Sequence, residues 1–448
     1  MEYIVQTPCG EVRGCAGRKG AVAYKGIRYA TAGRWEYPKQ VTGWEGIYDA
    51  TRFGKCSYQA SAFTTPDDTS FYNHEFRAGE RYEYSEDSLF LNIYTPEKAK
   101  TGDQLPVLIY IHGGAFVGGR AHEKHFRDPV WTDYGVIGVT IHYRLGPWGF
   151  LCLPELKEEA GKAGNYGLHD QMTAIRWIKD NIAAFGGDPD NITIMGQSAG
   201  AASVQQLCLS SVTKGLFQRA IMSSGGGDVS QLSAGTQEER YAYWQLFRKH
   251  TGCETLAQMR ALTPQQIKEA FDATKAECRE RGYYPVIDGN FLTGTTEEIL
   301  AAGKQHKIPY MIGATSEDMM LPELQEQAKV WADRQTENSY VWHFNRQLPG
   351  DDKGAFHTAD IWYWFGTLDR CWRPMEEKDY QLSRQMVDYL CSFVRTGDPN
   401  HSGKQPIWRP SCADDPEVML LGEQETAMGI PRPKREAENE PERKGESE

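Results

Sequence analysis

No pair of cysteines in this sequence has Cys-x-x-Cys spacing, and the ten that occur are scattered over 448 residues. That pattern argues against a zinc ribbon, a redox dithiol or the dense disulfide framework of a small secreted fold. A chain of this length can bury a large core without such staples. Reduced, structural thiols in a cytoplasmic protein are the expectation. Long apolar runs are also missing. The longest, Pro106–Ile111 and Val136–Ile141, fall far short of the roughly 20 residues that span a bilayer, and they read as buried strands. The opening residues, Met1 to Pro8, lack a basic segment followed by an apolar one, so a standard export signal is not expected. Positive charge is in deficit: 49 Lys and Arg against 61 Asp and Glu give a formal net charge of -12. Phosphate backbones and anionic membranes are repelled by that balance, so neither nucleic acid nor a membrane is an expected partner.

What is present is the composition of an ordinary globular protein, with 40% apolar and 25% charged residues. Short β-branched runs alternate with helical patterns through the middle of the chain. They predict an α/β fold with a large, mostly parallel central sheet and helices on both faces. Strands are expected at Val107–His112, Val136–Tyr143, Ile192–Met195, Ala220–Ser223, Tyr310–Gly313 and Tyr340–Phe344. A helix is expected over Asp170–Ala184, where Met172, Ile175, Ile178 and Ile182 recur at helical spacing until Gly186-Gly187-Asp188-Pro189 stops it. Residues before about position 100 read as antiparallel strands and long loops. The expected organisation is a single catalytic domain over 1–430 with helical insertions at about 237–300 and 320–337. A charged, disordered tail is expected over 431–448.

Gly196-Gln197-Ser198-Ala199-Gly200 matches Gly-x-Ser-x-Gly, directly after a predicted strand and before a helix-prone run. That setting suits a sharp strand-to-helix turn that lifts a nucleophilic serine clear of the sheet. His112-Gly113-Gly114-Ala115-Phe116 follows another predicted strand, where glycines let backbone N–H groups approach a developing oxyanion. His122-Glu123-Lys124-His125 has the spacing of a metal pair but lacks the His-Glu-x-x-His arrangement. A solvated loop is expected there, and no metal or organic cofactor is required.

These motifs carry a resemblance to the type-B carboxylesterase family, which includes cholinesterases and liver-type carboxylesterases. Glu86-Asp87-Ser88-Leu89-Phe90-Leu91-Asn92 resembles the family's E-D-C-L-x-L-N signature, and Gly164 to Gly200 resembles its catalytic core. The likeness runs from about Gly20 to Trp408. It implies an α/β-hydrolase fold and hydrolysis of carboxylic esters through an acyl-enzyme. It also implies Ser198 as nucleophile, and Gly114, Ala115 and Ala199 as oxyanion N–H donors. Gly313–Met319 resembles the segment that carries the acid, which places it at Asp318 with Glu317 as the alternative. The segment Gly354–Phe365 resembles the one that carries the histidine, which places it at His357. An aromatic pocket is expected from Phe116, Trp148, Tyr166, Trp362 and Trp364.

Departures from the family matter as well. Ser88 stands where the signature has cysteine, which leaves Cys56 without its expected partner. Ion pairs Arg34–Glu86 and Arg144–Asp170 are expected to be retained. Only one helix, about Glu323–Gln335, fits between Asp318 and His357, so the resemblance implies a reduced helical cap. The expected substrate is a short-chain or small-molecule ester. A cholinesterase-like binding module without catalysis and an interfacial lipase are the alternatives.

Overall fold

The computed structural model describes residues 3–431 apart from Lys19, 64–69, 228–233, 320–322 and 423–425. The expected tail, from 432 onward, lies outside the described residues, as does the start of the 320–337 insertion.

The strands are β1 (Tyr3–Thr7), β2 (Gly10–Ala16), β3 (Ala21–Arg28), β4 (Phe90–Pro96), β5 (Leu105–Ile111) and β6 (Ile137–Ile141). They continue with β7 (Gly187–Gln197), β8 (Arg219–Ser223), β9 (Tyr310–Thr315), β10 (Ser339–Phe344), β11 (Val418–Leu421) and β12 (Ala427–Gly429). They form one sheet in the order β1-β2-β3-β4-β6-β5-β7-β8-β9-β10-β11-β12, with a short strand, Ile47–Asp49, beside β2. From β6 to β11 every pairing is parallel, whereas the first strands and β12 pair antiparallel.

The central strands are apolar throughout because both faces are covered. Along β5, Val107, Ile109 and Ile111 enter one core, while Leu108 and Tyr110 enter the other. The first core is closed by α2 (Tyr166–Asn181), α3 (Ala199–Leu209) and the helices α4 (Gln237–Thr251), α5 (Leu256–Ala261) and α6 (Pro264–Glu277). The second is closed by α8 (Ile361–Phe365) and α9 (Glu377–Thr396). Between them in sequence lies α7 (Glu323–Asp333), the single helix expected before β10.

Within 237–300 lie α4, α5, α6 and a short helix, Thr296–Ala301, and Thr236 with Glu239 forms a capping box at the start of α4. The expected helix ends at Asn181, and a short 3-10 turn runs to Phe185 before Gly186, with φ 89°, closes it. Gly187-Asp188-Pro189 does not serve as the stop. Gly187 already pairs with Leu105 as the start of β7.

Register positions the site. Gly196 pairs with Ile111 on one side and Met222 on the other, and Ser223 pairs with Gln197 and Gly313. The loops after β5, β7 and β9 therefore leave the sheet side by side at its carboxyl edge, where α/β folds build their sites. Both expected ion pairs are present. Arg34 meets Glu86, and buried Arg144 forks onto Asp170 at 2.7 and 2.8 Å.

Candidate active site

Ser198 sits between β7 and α3 with φ 57° and ψ −127°, a left-handed conformation costly for a residue with a side chain. Its neighbours enforce that turn. A Cβ at Gly196 would overlap the backbone of Gly200, and one at Gly200 would overlap the carbonyl oxygen of Ile111. Ser198 N donates to Ser223 O at 2.9 Å, and Ala202 N donates back to Ser198 O at 2.9 Å. The strand and helix thus grip the serine from both sides. Its side chain stays partly exposed between buried Gln197 and Ala199.

The loop after β5 approaches closely: a Cβ on Gly113 would lie 3.0 Å from Ser198 Cβ. Gly114 has φ 111° and Ala115 φ 52°, so the loop turns its amides through a conformation that a methyl at 115 tolerates only at a cost. Gly114 O is consumed by Val117 N and Gly118 N. The N–H of Ala199, first residue of α3, has no intrahelical acceptor.

His357 lies on the loop after β10, and Asp318 lies just beyond β9. An isolated bridge between Glu317 and Phe356 ties these two segments together. His357 Nδ1 lies 2.7 Å from Asp318 Oδ1. The carboxylate on the imidazole is that of Asp318, while Glu317 takes part in the backbone bridge to Phe356. Asp318 is held in turn by Met319 N at 2.8 Å and Thr315 Oγ1 at 3.1 Å. Burial alone would raise the Asp318 pKa, but the adjacent imidazole and the hydroxyl hydrogen bonds the carboxylate accepts together outweigh it and hold the carboxyl below its ordinary value. Burial likewise opposes charge on His357, but the Asp318 carboxylate overcomes it and raises the imidazole above its ordinary value.

His357 Nε2 faces inward and is met by Gln197 Nε2 at 3.1 Å. With the Nδ1 proton donated to Asp318, the amide N–H of Gln197 donates to Nε2. Ser198 Oγ therefore shares a cavity with His357 but is not hydrogen-bonded to it in this structure.

That cavity has a volume of about 260 Å³. Its apolar wall comes from Tyr72 and Phe76 of α1 (Phe71–Arg77), with Tyr110, Phe126 and Met319. The five expected pocket aromatics are elsewhere. Phe116 packs between Phe150 and Tyr284, and Tyr166 lies against Tyr37. Trp148 adjoins Tyr58. Trp362 donates to Glu75 at 3.0 Å, and Trp364 donates to Asp360 at 3.1 Å. All five are buried in the core.

Sequence reasoning missed Asp360, three residues after His357. It is fully buried, accepts from Ser223 Oγ at 2.8 Å, and leaves its second oxygen without a hydrogen bond. Burial pushes its pKa up to about 6. The His-x-x-Asp spacing was the available signal.

The segment expected as a solvated loop, His122 to His125, is buried instead. His122 and His125 diverge: His125 packs on Phe76, while His122 joins buried Cys56 and His142. His122 presents Nε2 to Cys56 Sγ at 4.0 Å and Nδ1 to His142 Nε2 at 3.2 Å. Opposite ring nitrogens suit a hydrogen-bonded chain, whereas one ion would draw on a single nitrogen. Cys56 is also not the residue across from Ser88. Ser57 is, with the hydroxyls 2.9 Å apart.

Comparison with known proteins gives the chain's family and fold. The model of the carboxylesterase family matches residues 1–328 and 320–440. Para-nitrobenzyl esterase of Bacillus subtilis is 29% identical, with 96% of each chain covered. Human bile salt-activated lipase is 35% identical over 88% of this chain and 62% of its own. Phenmedipham hydrolase of Pseudarthrobacter oxydans is 28% identical over 96% of this chain and 97% of its own. Among solved structures, a thermophilic PNB esterase superposes with a TM-score of 0.84 at 27% identity, covering 96% of this chain and 98% of that one. An α/β-hydrolase by fold and a carboxylic-ester hydrolase by kinship, the chain belongs to the carboxylesterase family.

Proposed function

We propose that Ser198, His357 and Asp318 form the catalytic triad of a two-step acyl transfer on small carboxylic esters. Ser198 Oγ attacks the ester carbonyl carbon while His357 Nε2 takes its proton. Asp318 keeps the imidazole in the tautomer with Nε2 free to accept, and it stabilises the imidazolium that forms. The developing oxyanion receives the N–H groups of Gly114, Ala115 and Ala199. The alcohol departs with the proton from His357. Water, deprotonated by the same nitrogen, then releases the acid and restores Ser198. Gln197 occupies the position the serine hydroxyl needs, so its amide gives way when substrate enters. Apo geometries of this looseness are common in serine hydrolases.

The observation that carries the reading is the 2.7 Å bond from His357 to Asp318 beside a serine in a strained strand-to-helix turn. The modest cavity and the kinship with an enzyme named para-nitrobenzyl esterase favour small-molecule esters over bulk lipid. Neither a binding module without catalysis nor an interfacial lipase is favoured by these features. We place the enzyme in the cytoplasm, a reading supported by ten free cysteines. One catalytic domain over 1–430 is supported by a single sheet that runs from Tyr3 to Gly429. No cofactor enters the proposed chemistry.

The decisive experiment is Ser198→Ala assayed with p-nitrophenyl butyrate and a fluorophosphonate probe. Turnover and labelling are both expected to vanish while the circular-dichroism spectrum is kept. Retained turnover in the folded variant would sink the assignment.

A further inference from the structure

Arg77, Arg120 and Glu123 line the same cavity as Ser198 and His357. One carboxylate stands there against two guanidiniums. Glu123 Oε1 accepts from Arg120 Nη1 at 2.8 Å and from Arg77 Nε at 2.9 Å. Arg120, 2% exposed, has its other nitrogens taken by the hydroxyls of Tyr84 and Ser61. Arg77 differs. Its side chain is 25% exposed, and among the described residues only its Nε is engaged.

Glu123 is ionised: burial opposes its charge, but the two guanidiniums hold its pKa well below the ordinary carboxylate value. His125, also on the wall, is kept neutral because burial lowers it to about 3. Among the described lining residues, two guanidinium charges less one carboxylate leave one net positive charge, in a chain whose overall charge is -12. A second arginine is not needed merely to neutralise Glu123, because Arg120 already does so from full burial. What Glu123 does to Arg77 is orient it. By holding Nε it leaves the Nη1–Nη2 edge, a planar two-pronged donor, without an acceptor among the described residues, on a side chain that lines the cavity. That edge matches the two oxygens of a carboxylate.

We infer that the natural substrate is an ester bearing a free carboxylate, which the Nη1–Nη2 edge of Arg77 binds while Ser198 attacks the ester. The inference rests on the esterase reading of the site and adds the substrate class.

The test compares two anionic esters with a neutral one. The anionic pair are p-nitrophenyl hydrogen glutarate, with its carboxylate on the acyl side, and 4-acetoxybenzoate, with its carboxylate on the alcohol side. p-Nitrophenyl butyrate is the neutral reference. The readout is the anionic-to-neutral ratio of kcat/KM, which is independent of how much enzyme is folded. In Arg77→Gln that ratio is expected to fall about 10- to 100-fold for at least one anionic ester, the range a charge-assisted hydrogen bond is worth. Arg77→Lys should recover part of it, and added salt should raise KM for that ester in the parent enzyme. A ratio that Arg77→Gln leaves within about twofold for both anionic esters would overturn the inference while leaving ester hydrolysis intact. Failure of the parent enzyme on all three esters would instead overturn the esterase reading on which it stands.

Discussion

Replacing Asp318 with asparagine changes one atom of the site and should nearly silence it. The carboxylate accepts the Nδ1 proton of His357 at 2.7 Å, with both side chains almost wholly buried. That bond fixes the tautomer in which Nε2 carries a lone pair. An asparagine amide presents either a weaker acceptor or, with its nitrogen turned inward, a donor. In the second case the ring proton moves to Nε2, where it can no longer accept the serine proton. The imidazolium also loses its counter-charge. In serine hydrolases the two losses together lower kcat about 10⁴-fold, or about 5 kcal/mol of barrier. Asp318→Asn should therefore show that loss with p-nitrophenyl acetate, while labelling by a fluorophosphonate slows in parallel and the thermal melt stays cooperative. Glu317→Gln is the control and should stay within about threefold, because its carboxylate is not the one on the imidazole. A loss of less than about tenfold in Asp318→Asn, or an equal loss in both variants, would refute the tautomer argument.

Other expectations follow from the same coordinates. The His357 pKa lies above its ordinary value, and the proposed mechanism uses the neutral imidazole as base, so kcat/KM should rise with pH to a half-point above 6.5. A half-point at or below 6.5 in a pH–rate profile would contradict the stated charge balance. Gln197→Glu would put a carboxylate against His357 Nε2, so that half-point should move still higher, and an unmoved profile would mean the 3.1 Å contact is not kept in solution. Gly200→Ala drives a methyl into the Ile111 carbonyl, so it should abolish activity and lower the melting temperature. Normal turnover in that variant would refute the tight-turn account. Asp170→Asn leaves the Arg144 guanidinium buried without its counter-ion, which should cost about 3–5 kcal/mol in urea unfolding. A loss under about 1 kcal/mol would show the pair to be as weak as an exposed one.

The legible part of the fold and the illegible part have the same physical origin. Strands covered on both faces are apolar at consecutive positions, so Leu105–Ile111 and Ile137–Ile141 stand out within a residue or two. The start of β7 was hidden because Gly187 and Pro189 look like breakers, whereas Gly187 pairs beside a register shift that absorbs the irregularity. The turn at Ser198 was legible because its backbone conformation allows only small neighbours at 196 and 200. Asp318 was legible only through the family resemblance, with Glu317 as the alternative, since a one-residue step at a strand end reverses the side chain; in the structure the Asp318 carboxylate is the one that meets the imidazole. Aromatic residues carry no such tag. Trp362 and Phe76 lie in one apolar cluster, yet only Phe76 reaches the cavity, and which of them does so is set by long-range packing of α1.

That packing links the two halves of the site. The helix α1 is only seven residues long and does not belong to the sheet, yet it carries Tyr72, Phe76 and Arg77 to the cavity. It is secured at three points. Tyr72 OH donates to the His357 carbonyl at 3.4 Å, buried Glu75 is gripped by Arg373 at 3.1 Å, and Arg77 is held by Glu123 at 2.9 Å. Tyr72, Phe76 and Arg77 of the cavity lining therefore share one anchor system. A change that loosens the Glu75–Arg373 pair would not touch Ser198. It would still shift the Tyr72 contact to the His357 carbonyl and the Arg77 guanidinium together. If His357 is the general base and Arg77 the selectivity residue, as proposed, one short helix couples the two, so substitutions at Glu75 should alter kcat and KM at once rather than either alone.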